Sequence, residues 1–242
     1  MPNMVVSLER ALSKMGYCSR SKAVTLITEG RVVVDDRIIT SPAKRISLES
    51  RITIDGQKIS KPKTIWILLN KPKNIVTTAR DPEGRKTVYD LVKAPHHVFP
   101  VGRLDYGTSG MLLMTNDNDL AEYISSPNSK VDKTYLLKVK DKLDLKVLEK
   151  GAVLSGELLK PKRVRLIKSN PRSSIIEMTI TEGRNRQIKR MLQAAGIKLL
   201  SLKRITIGRL ELGNLKPGKC RELDYNDLKK LTVKKPEKLV LP

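Results

Sequence analysis

Gly102-Arg103-Leu104-Asp105-Tyr106-Gly107-Thr108-Ser109-Gly110 runs straight into Met111-Leu112-Leu113-Met114 and closes on Thr115-Asn116-Asp117. The apolar run is too short for a helix and has the continuous character of a buried strand. The segment before it is punctuated by three glycines, so one carboxylate, Asp105, sits in a tight loop braced by a core strand. A scaffolded loop of this kind can hold a charged side chain at the mouth of a cleft. An aspartate in a glycine-rich loop also often bonds its own backbone as a turn residue. The segment alone therefore fixes a strand and a loop, and leaves the role of Asp105 open.

Working outward, Trp66-Ile67-Leu68-Leu69-Asn70 reads as a second buried strand, stopped by Lys71-Pro72. In Lys133-Thr134-Tyr135-Leu136-Leu137-Lys138-Val139 the two-residue period puts Tyr135, Leu137 and Val139 on one inward face. Tyr135 is then either a core aromatic with a polar tip or a side chain presented to a cleft. Further on, Glu182-Gly183-Arg184-Asn185-Arg186-Gln187-Ile188-Lys189-Arg190-Met191 crowds cations around a helix start. Asn185 is the expected cap, Ile188, Met191, Leu192 and Ala195 the buried stripe, and Gly196 the stop. A backbone-binding patch for RNA, without catalysis, is the competing reading of this segment. Strands outnumber helices and show no regular alternation with them. The expected class is α+β, with a mostly antiparallel sheet and flanking helices over residues 64–232.

The first sixty residues read as a separate small α/β module. Leu8, Ala11, Leu12 and Met15 share a helical face that Gly16 ends. Ser19 or Ser21 caps a second helix carrying Ala23, Val24, Leu26 and Ile27, which Gly30 ends. A strand over Arg31–Val34, a turn at Asp35-Asp36, a strand over Arg37–Thr40 and a strand over Arg51–Ile54 follow, the last ending at Asp55-Gly56. Asp35-Asp36 makes a less easy hairpin turn than Asn-Gly would. Lys58–Lys63 is a polar linker, and residues 233–242 form a basic tail.

Lys and Arg total 48 against 25 acidic residues, a formal net charge of +23. Such a surplus repels itself in the compact state and is matched best by a polyanion, with nucleic acid the first candidate. The start of the sequence has no signal-peptide pattern and no run is apolar enough to span a bilayer, so a cytoplasmic protein without a membrane partner is expected. Cys18 and Cys220 lie far apart without ligand-like spacing. His96 and His97 are neighbours that point in opposite directions on an extended chain. No metal site is expected.

GRLDYGTSGMLLMTND, KTYLLKV and EGRNRQIKRM, in that order, resemble the signature segments of the pseudouridine synthases. The similarity is greatest to the bacterial group that modifies ribosomal RNA (RsuA/RluB-like). Asn70-Lys71-Pro72, Leu202-Lys203-Arg204 and Ile207-Gly208 fit as well. The run GYCSRSKAVTLITEGRVVV, residues 16–34, resembles the RNA-binding domain named after small-subunit ribosomal protein four.

These resemblances imply roles residue by residue. Asp105 matches the essential aspartate, Tyr135 the tyrosine that stacks on the target base, and Lys189 the cation that pairs with the aspartate. Lys189 stands where many members have arginine, which keeps the charge and loses the bidentate geometry. Arg103 matches a residue that fills the gap left by an extruded nucleotide, and Leu202 one that lines the pocket floor. Arg184 and Arg186, with Arg20, Lys22 and Arg31 of the N-terminal module, are the implied RNA contacts. Asn74 and Asn118 stand where members usually have glycine, and asparagine tolerates the left-handed region.

The implied reaction isomerises a uridine of ribosomal RNA, with a lean towards the large subunit. The nucleotide must be flipped out of its stack at a cost of a few kcal/mol, which stacking on tyrosine offsets by roughly 1–3 kcal/mol. No group is lost and no redox change occurs, so no cofactor is implied. The implied partner is ribosomal RNA or a subunit-assembly intermediate, met by a monomer. The alternatives are a non-catalytic RNA-binding assembly factor with the same fold and a synthase directed at transfer RNA.

Overall fold

The computed structural model describes residues 5–60, 62–154 and 156–232. The basic tail expected at 233–242 lies outside the described residues, as do residues 1–4, Lys61 and Ser155. Two compact units result. One carries the chain up to Ile65 with Ala94–Phe99 and Thr115–Asn118; the other holds Trp66–Lys93, Pro100–Met114 and the chain from Asp119. Among the described residues, no helix is long and apolar enough to cross a membrane.

The first unit begins with β1 (Val5–Ser7), α1 (Leu8–Lys14) and α2 (Arg20–Thr28). Gly16 and Gly30, at φ +73° and +72°, follow the two helices as expected. Of the two candidate caps, Ser19 is the one used: its Oγ accepts from Lys22 N at 3.3 Å. Ala23, Leu26 and Ile27 are buried, but Val24 is exposed, because it falls on the far side of the two-turn helix. There follow β2 (Val32–Val34), β3 (Arg37–Ile38), β4 (Arg45–Ser47), β5 (Ile52–Ile54) and β6 (Gln57–Lys58). They form a four-stranded sheet in the order β3-β2-β5-β6 and a separate β1–β4 pair.

Asp35 and Asp36 both take positive φ, 45° and 65°, the geometry a two-residue hairpin demands. The strain is offset by side-chain bonds. Asp35 Oδ1 accepts from Arg51 N at 2.9 Å, and Asp36 is ion-paired with the Arg51 side chain. The β1–β4 pair and β6 are too short to register as periodic patterns in the sequence.

The second unit is built on a nine-stranded sheet. Its strands are β7 (Trp66–Lys71), β8 (Phe99–Pro100), β9 (Thr108–Thr115), β10 (Lys133–Lys140), β13 (Arg163–Asn170), β14 (Ser173–Ile180), β15 (Leu199–Ile207), β16 (Leu210–Glu211) and β17 (Cys220–Glu222). A small hairpin, β11 (Ala152–Leu154) with β12 (Glu157–Leu159), stands apart from it. The helices are α3 (Asn118–Ser125), α4 (Leu145–Glu149), α5 (Gln187–Ala194) and α6 (Tyr225–Leu231).

The main path runs β13-β14-β10-β15-β9-β7-β17, with β16 on β15 and β8 on β9. Pairing is antiparallel from β13 to β15 and between β7 and β17, whereas β15 and β9 run parallel. The α+β class and the mostly antiparallel sheet expected from the sequence are what the chain adopts. Every residue of β7 is buried, including Lys71, and Met111–Met114 of β9 are fully buried.

The β9–β15 joint is unusually close. A Cβ built on Gly110, at φ +105°, would lie 2.1 Å from the carbonyl oxygen of Arg204 and 2.7 Å from its nitrogen. The third glycine of the Asp105 segment thus lets β9, which follows the Asp105 loop, reach the strand carrying Leu202 and Arg204.

Candidate active site

The second unit carries an open cleft lined by residues of its sheet, the loop after Val101 and the start of α5. Its floor comes from one face of three adjacent strands. On β10, Lys133 and Tyr135 point the same way. On β15, Arg204 lies opposite Tyr135, and Leu202 lies opposite Leu137 and beside Thr108 of β9. The loop at 102–107 and the start of α5 form the walls, with Arg103, Asp105, Arg184, Arg186 and Lys189 among the lining residues.

Asp105 and Lys189 meet across the cleft, with Nζ 2.7 Å from Oδ2. Among the described residues this is the one ion pair of Lys189, and a lysine makes it without a fork. Tyr135, 8% exposed, lies on the floor, facing inward as its two-residue period predicts. Leu202 is buried on the floor, while Arg103 is exposed at the rim.

The helix that supplies Lys189 starts differently from expectation. Asn185 does not cap it; Arg186 does, in the left-handed conformation at φ 49° and without a side-chain cap. Gln187 compensates, since its buried side chain accepts from Arg184 N at 3.3 Å. The turn at 184–187 is therefore closed by a glutamine inside the helix. Ile188, Met191 and Leu192 form the buried stripe, and Ala195 is half-buried beyond the last turn.

The Asp105 loop is held from below by the segment after β7. Asn74, left-handed at φ 63° as its type allows, donates from its backbone N to Tyr106 O at 2.9 Å. Thr77 Oγ1 donates to Leu104 O at 2.9 Å. Arg85 stacks over the Tyr106 ring at 5.7 Å and is itself gripped by both oxygens of Asp81. Asn118, by contrast, opens α3 and is not left-handed, so its tolerance of that region goes unused.

Three cations around the cleft were not singled out by sequence reasoning. Lys71, fully buried, donates from Nζ to Ile75 O at 2.6 Å and Pro72 O at 3.0 Å. Lys133 and Arg204 are each 6% exposed. The signal was available for Lys133, which lies two residues before Tyr135 on the same strand face. Lys71 and Arg204 lie in segments that fit the family resemblance, but nothing in those segments signals that either side chain is buried.

Burial pushes Lys71 down to about 8, with the Asp105 charge opposing and the Lys189 charge adding. Burial, aided by Arg204, pushes Lys133 down to about 8 as well. Both groups sit near 10.5 when free of these effects. Between the two values the unfolded chain binds more protons than the native one, so these lysines make stability rise with pH from about 8 to about 10.5. Below about 8 both states hold the protons and the contribution is flat. Urea unfolding across this range should show the positive slope, and Lys71→Met should reduce it.

In the N-terminal unit Arg20 and Lys22 are exposed at the start of α2. Arg31 is already engaged: its guanidinium forks onto Asp55 at 2.8 and 2.6 Å and touches Glu29 at 3.1 Å. Arg184 is likewise bound, to Glu182 at 2.7 Å and to Glu157. Any RNA phosphate they meet must share or displace these carboxylates.

Comparison with known proteins bears directly on this geometry. The sequence profile of the family described as RNA pseudouridylate synthase matches residues 65–194, and the S4 domain profile matches residues 7–52. The chain is 42% identical, over 94% of both chains, to an RNA pseudouridine synthase of Aquifex aeolicus. The chain belongs to the RNA pseudouridine synthase family.

The synthase is also 38% identical to the ribosomal large subunit pseudouridine synthase B of Bacillus subtilis, over 93% of its own length and 94% of that protein. A crystal structure of a pseudouridylate synthase superposes with a TM-score of 0.65 at 28% identity, over 93% of this chain and 99% of that one. The enzyme is thus an isomerase acting on RNA, with an S4 domain at its N-terminal end.

Proposed function

We propose that the synthase converts one uridine of ribosomal RNA, in the large subunit, to pseudouridine, and that Asp105 is its catalytic carboxylate. The observation that carries this is the contact between Asp105 and Lys189 at 2.7 Å beside the buried Tyr135, in one cleft. The large-subunit assignment draws on the Bacillus subtilis relative, whose name gives that substrate.

In this reading the target nucleotide is flipped into the cleft and its base stacks on Tyr135. Leu202 closes the floor, and Arg103 at the rim fills the space the base vacates. Lys189 holds the carboxylate towards the sugar. Arg184 and Arg186 meet the backbone near the cleft, and Arg20, Lys22 and Arg31 form the RNA contacts of the S4 domain, with domain limits at 1–60 and 64–232. Arg20, Lys22 and Arg186 make no ion pair among the described residues and meet RNA directly, whereas Arg31 and Arg184 first exchange carboxylate partners. The enzyme works as a cytoplasmic monomer without a cofactor, on ribosomal RNA or on a subunit-assembly intermediate.

The test uses purified protein, both ribosomal RNAs transcribed in vitro, immature subunits, and chemical mapping of pseudouridine. One new pseudouridine in the large-subunit RNA is the expected result. A product in transfer RNA alone would reassign the substrate, and no product anywhere would favour a non-catalytic assembly factor. In the same assay Tyr135→Leu should slow conversion by about 10- to 100-fold, the loss of one stacking contact, and Tyr135→Phe should stay near wild type. Equal activity of a folded Tyr135→Leu protein would return Tyr135 to the ordinary core.

A further inference from the structure

Lys133 and Arg204 are two cations buried to 6% exposure on the cleft floor, flanking the position of Tyr135. Among the described residues neither has a carboxylate within ion-pair distance. Lys133 Nζ has one long contact, to Thr181 O at 3.4 Å. Arg204 Nε donates to Met111 O at 2.8 Å, which fixes the guanidinium against β9. Its Nη2 is buried and meets no partner among the described residues, and the same is true of Thr108 Oγ1 on the adjoining strand. Like charges brought together in a desolvated place, with hydrogen-bonding capacity left unmet, call for an anionic acceptor.

The acceptor can be derived from the reaction, so this inference rests on the function proposed above. When the C1′–N1 bond breaks, its electron pair goes to N1 and spreads over O2 and O4 of the uracil. C1′ is satisfied in one of two ways. Either the Asp105 carboxylate bonds to it, or the C2′–H bond supplies the electrons and Asp105 takes the proton. In both cases one negative charge leaves Asp105 and appears on the detached uracil. It returns to Asp105 when C5 bonds to C1′, either as the Asp105–C1′ bond breaks or as Asp105 gives its proton back to C2′; C5 then gives up its own proton and N1 gains one.

Lys189 contacts the charge where it starts, on Asp105. We infer that Lys133 and Arg204, with Thr108, form the site that receives the uracil oxygens while the base is an anion, and that they hold it there as it turns. An RNA phosphate fits less well: it stays on the backbone at the rim, where Arg103 and Arg186 are exposed, whereas these two cations lie on the floor. The fixed, water-poor setting makes such donors more effective than the same groups in water.

The test compares single-turnover cleavage of C1′–N1 in an RNA carrying uridine or 5-fluorouridine at the mapped target. Fluorine withdraws electrons and stabilises the uracil anion by itself. Lys133→Met should slow the uridine substrate by about 100-fold, the usual loss for one donor to a developing anion. It should slow the fluorinated one by about tenfold or less, with RNA affinity within about twofold of wild type. Lys133→Gln and Arg204→Lys serve as second variants should Lys133→Met melt below the assay temperature. Equal losses on both substrates in a folded variant would make these residues structural, and a loss in affinity with unchanged rate would assign them to a phosphate. Either result overturns the inference while leaving Asp105 its role. A wild-type enzyme inert on every RNA would instead overturn the functional reading beneath it.

Discussion

Asp105→Asn should abolish pseudouridine formation, by at least about 10,000-fold, while leaving a folded protein that still binds RNA. The size follows from removing a group that acts on the reacting atoms themselves. The amide keeps the shape of the carboxylate but neither attacks C1′ nor accepts a proton from C2′. The fold should tolerate it, because the Asp105 side chain is 36% exposed and its partner Lys189 is 21% exposed, so the pair adds little stability. Removing a negative charge beside a polyanion should leave RNA affinity equal or slightly higher. The check is pseudouridine mapping beside a filter-binding titration and a melting curve. Residual conversion within about tenfold of wild type would take the central role away from Asp105.

Gly110→Ala should have the largest effect on stability. The new Cβ would meet backbone, the Arg204 carbonyl at 2.1 Å, and the residue would be held at φ +105°, where side chains are rarely found. A clash with a flexible side chain could relax, but one with the neighbouring strand can only be relieved by opening the β9–β15 joint. A loss of about 4 kcal/mol or more is expected, seen as a fall of roughly 10 °C or more in the melting of the sheet unit. Because the joint aligns the Asp105 loop with Leu202 and Arg204, activity should fall even below the melting point, where small displacements of reacting groups are costly. A melting temperature within about 2 °C of wild type would show that the strands can separate at little cost.

Much of this was legible along the chain. The apolar runs at 66–70 and 111–114 became central strands, and the alternation at 133–139 gave the inward face of Tyr135 correctly. Local chemistry settled several ends: Ser19 caps α2, Gly16 and Gly30 stop helices, and Asn74 takes the left-handed turn. What failed locally failed for a tertiary reason. Arg186 rather than Asn185 begins α5 because the buried Gln187 closes that turn from inside. Arg31 and Arg184 are held by carboxylates that a cation count cannot see.

The α+β class, the two kinds of module, the strongly basic charge and the segments that carry Asp105, Tyr135 and Lys189 can all be read along the chain. Periodicity, glycine and proline placement and net charge are properties of neighbouring residues, and neighbouring residues reveal them. The folded arrangement brings Asp105 and Lys189, 84 positions apart in the chain, to 2.7 Å. It also decided that Lys71, Lys133 and Arg204 are buried. A lysine in a strand is written the same way whether it ends in water or in a core, and its surroundings come from strands that the sheet brings together from distant parts of the chain.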